Sequence, residues 1–242
     1  MKNHFFSLIL MLSCLNTFSI SSQDSIRIQD CLVVSRTDET QWIRRFQKDI
    51  DKYIDENRKL KDKSCDVLIF GSSSINKWTN IYNDLAPLKI IRRSYGGATI
   101  RDMIYNYDVI ARGYNPKSIV LYVENDISSE ITVGTIYDLF RVFIVKIKRD
   151  YPHVPFYVMS LKPSPLREPL LNKMNMLNIL LENYTKETKG VNYIDISKEM
   201  YDGSGNVRKD IFLEDNLHMN QKGYDIWTTI LKPILMQNSD NY

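Results

Sequence analysis

Histidine is scarce in this chain, and the scarcity leads straight to one position. The 242 residues hold three histidines, His4, His153 and His218. His4 falls in an apolar leader, and His153 sits in Tyr151-Pro152-His153-Val154-Pro155, a loop entering a strand at its amino end. His218 is therefore the histidine placed for general base work. Asp215 precedes it by three residues, and a carboxylate at that spacing in a turn can accept the ring N–H, fix its tautomer and stabilise an imidazolium. Such a base needs a nucleophile. Ser73, in Gly71-Ser72-Ser73-Ser74, follows an apolar run at a sharp glycine turn, which would present its hydroxyl and its N–H near the amino end of a helix. A serine-rich turn is also a common helix cap. Gly97 can offer its N–H at close approach, or simply form a turn with Gly96. Asn125 can supply an amide donor, or cap the segment after its strand. Together these residues suit attack of a serine on a carbonyl carbon, with N–H groups receiving the oxyanion.

Positioning them requires elements that end at one level. From Asp38 to about Lys61, Trp42, Ile43, Phe46, Ile50, Tyr53 and Ile54 recur at helical spacing, with Asp38 and Gln41 able to form a capping box. Asp66-Val67-Leu68-Ile69-Phe70 has no alternation and reads as a strand covered on both faces, hence part of a parallel sheet. The unit recurs with strands at Lys89–Ile91, Ser118–Val123, Phe156–Met159 and Val191–Ile194. Helices are expected over 100–111, 135–149, 170–188 and 223–236. Alternating strands and helices imply right-handed crossovers and a three-layer α/β/α sandwich around a five-stranded parallel sheet. In such sheets chemistry gathers at the carboxyl ends of the strands, and Ser73, Gly97, Asn125 and the Ser160–Ser164 segment all follow strands.

The ordered blocks resemble the SGNH, or GDSL-like, hydrolases. The similarity is closest to a branch with G-S-S-S-I-x-x-W, matched by Gly71-Ser72-Ser73-Ser74-Ile75-Asn76-Lys77-Trp78. Gly96-Gly97-Ala98-Thr99-Ile100-Arg101-Asp102, Glu124-Asn125-Asp126, the run from Ser160 to Arg167, and Phe212 to Asn220 with Gly223-Tyr224 complete it, over about Val67 to Leu235. The resemblance implies a flavodoxin-like SGNH fold, with Ser73 as nucleophile, His218 as base and Asp215 as its partner. It also implies Ser73, Gly97 and Asn125 as the oxyanion hole, and an ester with a short acyl group, on carbohydrate or lipid, as substrate. Ser72 stands where many members have Asp, Val123 where many have Gly, and Arg92 and Ser94 where Asn and Gly are common.

Other classes fit worse. The chain has no G-x-S-x-G elbow, Walker A loop, G-x-G-x-x-G or H-E-x-x-H, so no cofactor or metal is expected. Asp202-Gly203-Ser204-Gly205-Asn206 lacks the later ligands of a calcium loop and reads as a turn. With 32 basic against 29 acidic residues, dispersed along the chain, no nucleic-acid footprint is visible. Residues 1–22 read as a secretory signal, too short in its apolar core for a mature membrane anchor, which directs the protein outside the cytoplasm or to a periplasm. Lipidation at Cys14 ranks second. Residues 23–37 read as an arm and 38–242 as one domain. Cys31 and Cys65 could pair in an oxidising compartment or stay as buried thiols. Trp78, Tyr95 and Tyr122 are candidates to stack on a sugar, and Lys162 and Arg167 to meet an anionic substrate. The competing class is a pocket protein that binds acylated glycans without turning them over.

Overall fold

The computed structural model describes residues 44–239. The expected leader and arm, the Asp38–Gln41 capping box, His4, Cys14, Cys31, Trp42 and Ile43 lie outside the described residues.

In chain order the elements are α1 (Gln47–Lys59), β1 (Ser64–Gly71), α2 (Ser73–Asn76), α3 (Ile81–Asp84), β2 (Ile90–Ser94), α4 (Ile100–Tyr105) and α5 (Tyr107–Ile110). There follow β3 (Asn115–Tyr122), α6 (Val133–Asp150), β4 (Phe156–Met159), α7 (Leu171–Glu187), β5 (Val191–Ile194) and α8 (Gln221–Ser239). The strands form one five-stranded sheet in the order β2-β1-β3-β4-β5, and every pairing is parallel.

Side-chain alternation along the strands divides the core into two layers. Leu68, Phe70, Ile119, Leu121, Phe156 and Val158 pack with Ile50, Met103, Phe143 and Leu177 on one face. Val67, Ile69, Val120, Tyr122, Tyr157 and Met159 pack with Trp78, Leu85, Trp227 and Leu231 on the other. Apolar surface on both faces is what the unbroken run in β1 called for.

Strands β1 and β3 begin two and three residues before the expected starts, and two further departures have a side-chain cause. The helix expected over 100–111 is broken at Asn106, whose side-chain amide donates to the Asp102 carbonyl at 3.1 Å and to the Tyr95 hydroxyl at 3.4 Å. The apolar stripe of Ile100, Met103, Tyr107 and Ile110 runs on across the break, so periodicity could not reveal it. Strand β2 continues through Arg92 and Arg93 to Ser94. Arg93 is buried at the sheet edge, held by Glu56, Asn57 and the Tyr114 hydroxyl, and an arginine pair in an edge strand carries no apolar signal.

Strand register sets where the polar segments emerge. Gly71 lies opposite Ser94 on one side and Tyr122 on the other, so the segments after β1, β2 and β3 leave the sheet at one level.

Candidate active site

A Cβ on Gly71 would lie 2.2 Å from Cγ1 of Ile75 and 3.1 Å from the Tyr122 carbonyl oxygen. Glycine alone lets β1 end directly against α2. Ser72 caps that turn in extended conformation, its N–H donating to the Tyr122 carbonyl at 3.2 Å. Ser73 is the first residue of α2, and a first-turn N–H has no carbonyl one turn behind it to serve. The residue is 7% exposed, so its hydroxyl is approachable from a narrow side only.

After β2 the Ala98 N–H closes a turn onto the Tyr95 carbonyl at 3.3 Å. Gly97 takes φ +82° at its third position, a conformation that glycine adopts without strain. The Ala98 carbonyl in turn accepts from Nδ2 of Asn125 at 3.0 Å, which joins the segments after β2 and β3. Thr99 and Asp102 form a capping box at the start of α4. Asp126 is buried and accepts from the Ile100 N–H at 2.9 Å. Burial pushes its carboxyl up to about 7, opposed by that hydrogen bond.

The segment before α8 is a small closed loop. Phe212 bridges Met219, and the Leu213 N–H donates to the His218 carbonyl at 2.8 Å. Asn216 crosses it at φ 55°, a region that asparagine tolerates. Asp215 Oδ1 accepts the Leu217 and His218 backbone N–H groups at 3.0 and 2.9 Å, and Oδ2 lies 2.6 Å from His218 Nδ1. The His218 side-chain bond, then the backbone bonds, hold the Asp215 carboxyl well below the usual carboxylate range. An ionised carboxylate at Nδ1 places the ring proton there and leaves Nε2 as the acceptor.

Beneath the rim lies a network that the sequence reading did not anticipate. Glu124 and Lys162 are both fully buried, with Nζ 2.9 Å from Oε1. Glu124 also accepts from Ser74 Oγ at 3.2 Å and from the Tyr122 hydroxyl at 2.6 Å. Burial would raise this carboxyl, yet the charges of Lys162 and Arg167 keep it below its ordinary value, while burial lowers Lys162 against the pull of the Glu124 charge. Lys162 Nζ donates onward to the Leu217 carbonyl at 2.8 Å. Two side chains therefore connect Ser74, the neighbour of Ser73, to Leu217, the neighbour of His218. Glu124 and Lys162 each stand just after a strand end, but nothing in their order along the chain says that two charges there face inward.

The expected substrate contacts are corrected by the same geometry. Lys162 is occupied by Glu124 and Leu217 and has no exposed surface. Trp78 is fully buried, stacked on Tyr224 with centroids 5.2 Å apart and bonded through Nε1 to Asp84. Tyr95 is fully buried with its hydroxyl on the Asp102 carbonyl. Tyr122 is buried against Trp227 with its hydroxyl on Glu124, so none of the three rings can stack on a sugar. Arg167 is half-buried and spans the carbonyls of Glu124 and Ile127 and Oδ1 of Asn125. Val123 is buried in the core with an ordinary negative φ, so a side chain fits before Asn125. Asp202 accepts the Ser204 and Asn206 N–H groups as a turn. Cys65 is buried, and desolvation pushes its thiol up to about 12. Among the described residues no group of three His, Cys, Asp or Glu side chains could hold a metal, and no helix is long and apolar enough to cross a membrane.

No protein-family model and no curated protein matches the chain in sequence. Solved structures do match it in shape. A Streptococcus pneumoniae structure named for platelet activating factor superposes with a TM-score of 0.72 at 20% identity, covering 89% of this chain and 100% of its own. A GDSL-like lipase from Bacteroides thetaiotaomicron gives 0.65 at 19% identity, over 78% of this chain and 97% of its own. A carbohydrate esterase family 3 protein from Talaromyces cellulolyticus gives 0.59 at 14%, over 73% and 98%. The fold is that of the GDSL-like lipases and acylhydrolases, as the ordered motifs implied.

Proposed function

We propose that the protein is a carboxylic ester hydrolase that removes a short acyl group, such as acetyl, from a carbohydrate or lipid through a covalent acyl-serine. The observation that carries this reading is the 2.6 Å bond between His218 Nδ1 and Asp215, on a loop tied through Lys162 and Glu124 to the residue beside Ser73. His218 Nε2 takes the Ser73 hydroxyl proton as Oγ attacks the ester carbonyl carbon. The oxyanion is received by the N–H groups of Ser73 and Gly97 and by Nδ2 of Asn125. The imidazolium then gives its proton to the departing alkoxide oxygen. Water, deprotonated by His218, attacks the acyl-serine and releases the carboxylic acid and free Ser73.

The acetyl-on-carbohydrate form of the proposal draws support from the Talaromyces neighbour's description as a carbohydrate esterase. Export rests on the leader-like residues 1–22 alone. The test is hydrolysis of p-nitrophenyl acetate by the chain beside its Ser73→Ala variant. Activity in the first and none in the second supports the reading. Equal inactivity of both folded proteins, on acetyl esters and on longer acyl esters, overturns it in favour of a binding pocket.

A further inference from the structure

The peptide unit between Leu217 and His218 is held at both ends. Its carbonyl oxygen accepts from Lys162 Nζ at 2.8 Å, and its N–H donates to Asp215 Oδ1 at 2.9 Å. A buried cation on a carbonyl polarises the whole amide and strengthens the N–H at the other end as a donor. Lys162 also lies 5.7 Å from the centroid of Phe212, at the base of the same loop. Asp215 and His218 themselves stand in a partly exposed loop, with side chains 46% and 15% exposed. A loop of that kind does not hold a carboxylate still by packing alone.

The cation is fixed in its turn. Glu124 holds Lys162 Nζ at 2.9 Å, and it also accepts from Ser74 and Tyr122. Tyr122 ends β3, and Ser74 lies in the first turn of α2 directly after β1; β1 and β3 share the longest register of the sheet. A buried ion pair is seldom the cheapest way to fill a core, and an apolar pair of similar volume is often as stable or more so. What an apolar pair could not do here is grip the Leu217 carbonyl.

We infer that Glu124 and Lys162 are positioning residues that transmit the rigidity of the sheet, through the Leu217–His218 peptide, to the Asp215–His218 pair. This deepens the esterase reading, since it assigns how the acid and base are held in register with Ser73.

The test is the double variant Glu124→Gln/Lys162→Met, which removes both charges together and leaves neither buried alone. Three quantities are measured: thermal unfolding, kcat and KM separately on p-nitrophenyl acetate, and the downfield proton resonance of His218 Nδ1–H. The expected result is a folded protein with KM within about twofold of the parent and kcat reduced by about tenfold to a hundredfold. The Nδ1 resonance moves upfield or broadens as the bond to Asp215 loosens. A folded double variant with parental kcat and an unchanged resonance overturns the inference, as does a loss confined to the melting temperature. If the double variant does not fold, Glu124→Gln alone is read in the same way, since it keeps volume and one acceptor oxygen but weakens the hold on Lys162. The resonance needs no substrate. It therefore decides the positioning role even in a protein that hydrolyses no ester, an outcome that would remove the esterase reading instead.

Discussion

Arg167 Nη2 donates to Oδ1 of Asn125 at 3.2 Å, while its Nη1 holds the carbonyls of Glu124 and Ile127. The contact decides which way the Asn125 amide points. With Oδ1 facing the guanidinium, Nδ2 is turned toward the Ala98 carbonyl and the segment carrying Gly97. Arginine suits this task because one planar fork meets three acceptors, a geometry that lysine cannot reproduce.

Replacing Asn125 with Ala should lower kcat on the order of a hundredfold or more, the usual cost of one oxyanion donor. Arg167→Ala should lower it by about tenfold, through misorientation of the donor rather than its loss. In the double variant the Arg167 change should add almost nothing, because its effect passes through a side chain already absent. Initial rates for the four proteins close the cycle. Additive losses would show that Arg167 acts independently of Asn125, for instance on the substrate.

Asp215→Asn should leave the backbone of the loop closed, since an amide oxygen can still accept the Leu217 and His218 N–H groups. It should nonetheless cost on the order of 10³-fold or more in kcat, because an amide N–H facing Nδ1 favours the tautomer with its proton on Nε2. In the parent the depressed carboxyl keeps its partners ionically held from neutral pH down past the ordinary carboxylate range, and that contribution is lost only as the pH falls through its lowered value. An acid limb of the rate profile above the ordinary carboxylate range should therefore not come from protonation of Asp215, and the Asp215→Asn variant should keep the parent's limb there.

Asp126 gives the opposite sign. Its carboxyl is raised to about 7 when folded, so between the ordinary value of an unfolded aspartate and about 7 the folded state binds the extra proton. Stability should fall as the pH rises through that window and stay low above it. Asp126→Asn keeps an oxygen for the Ile100 N–H and has no charge to bury, so it should be more stable than the parent at pH 8 by a few kcal/mol and nearly equal at pH 4. Urea unfolding at the two pH values distinguishes this from a variant that is uniformly weaker.

Trp78 should behave as core. Trp78→Ala removes a ring packed against Tyr224 and Trp227, and should cost about 3 to 5 kcal/mol with a matching fall in melting temperature. KM measured well below that temperature should not change. A raised KM with little loss of stability would mean that the ring meets substrate after all.

Much of this architecture is written locally. The unbroken apolar run of β1 required a parallel strand covered twice, and the 3.6-residue stripes of α6 and α7 required helices against it, because period and burial are properties of neighbours in the chain. The positions of Ser73, Gly97, Asn125, Asp215 and His218 relative to the elements were legible for a related reason. Each follows a strand or lies before the last helix, and parallel topology sends all strand ends to one rim. The Asp215–His218 bond was legible from a spacing of three residues.

What the chain order could not decide was the direction of long polar side chains. Lys162 and Arg167 look alike as bases near a rim, yet one is sealed against Glu124 and Leu217 and the other spans Asn125. Trp78 and Tyr95 look like rim aromatics, yet both point into the core. A charge or a ring is assigned to solvent, ligand or interior by partners elsewhere in the chain, such as Tyr224 for Trp78 and Leu217 for Lys162. Such partners meet only when the sheet has closed.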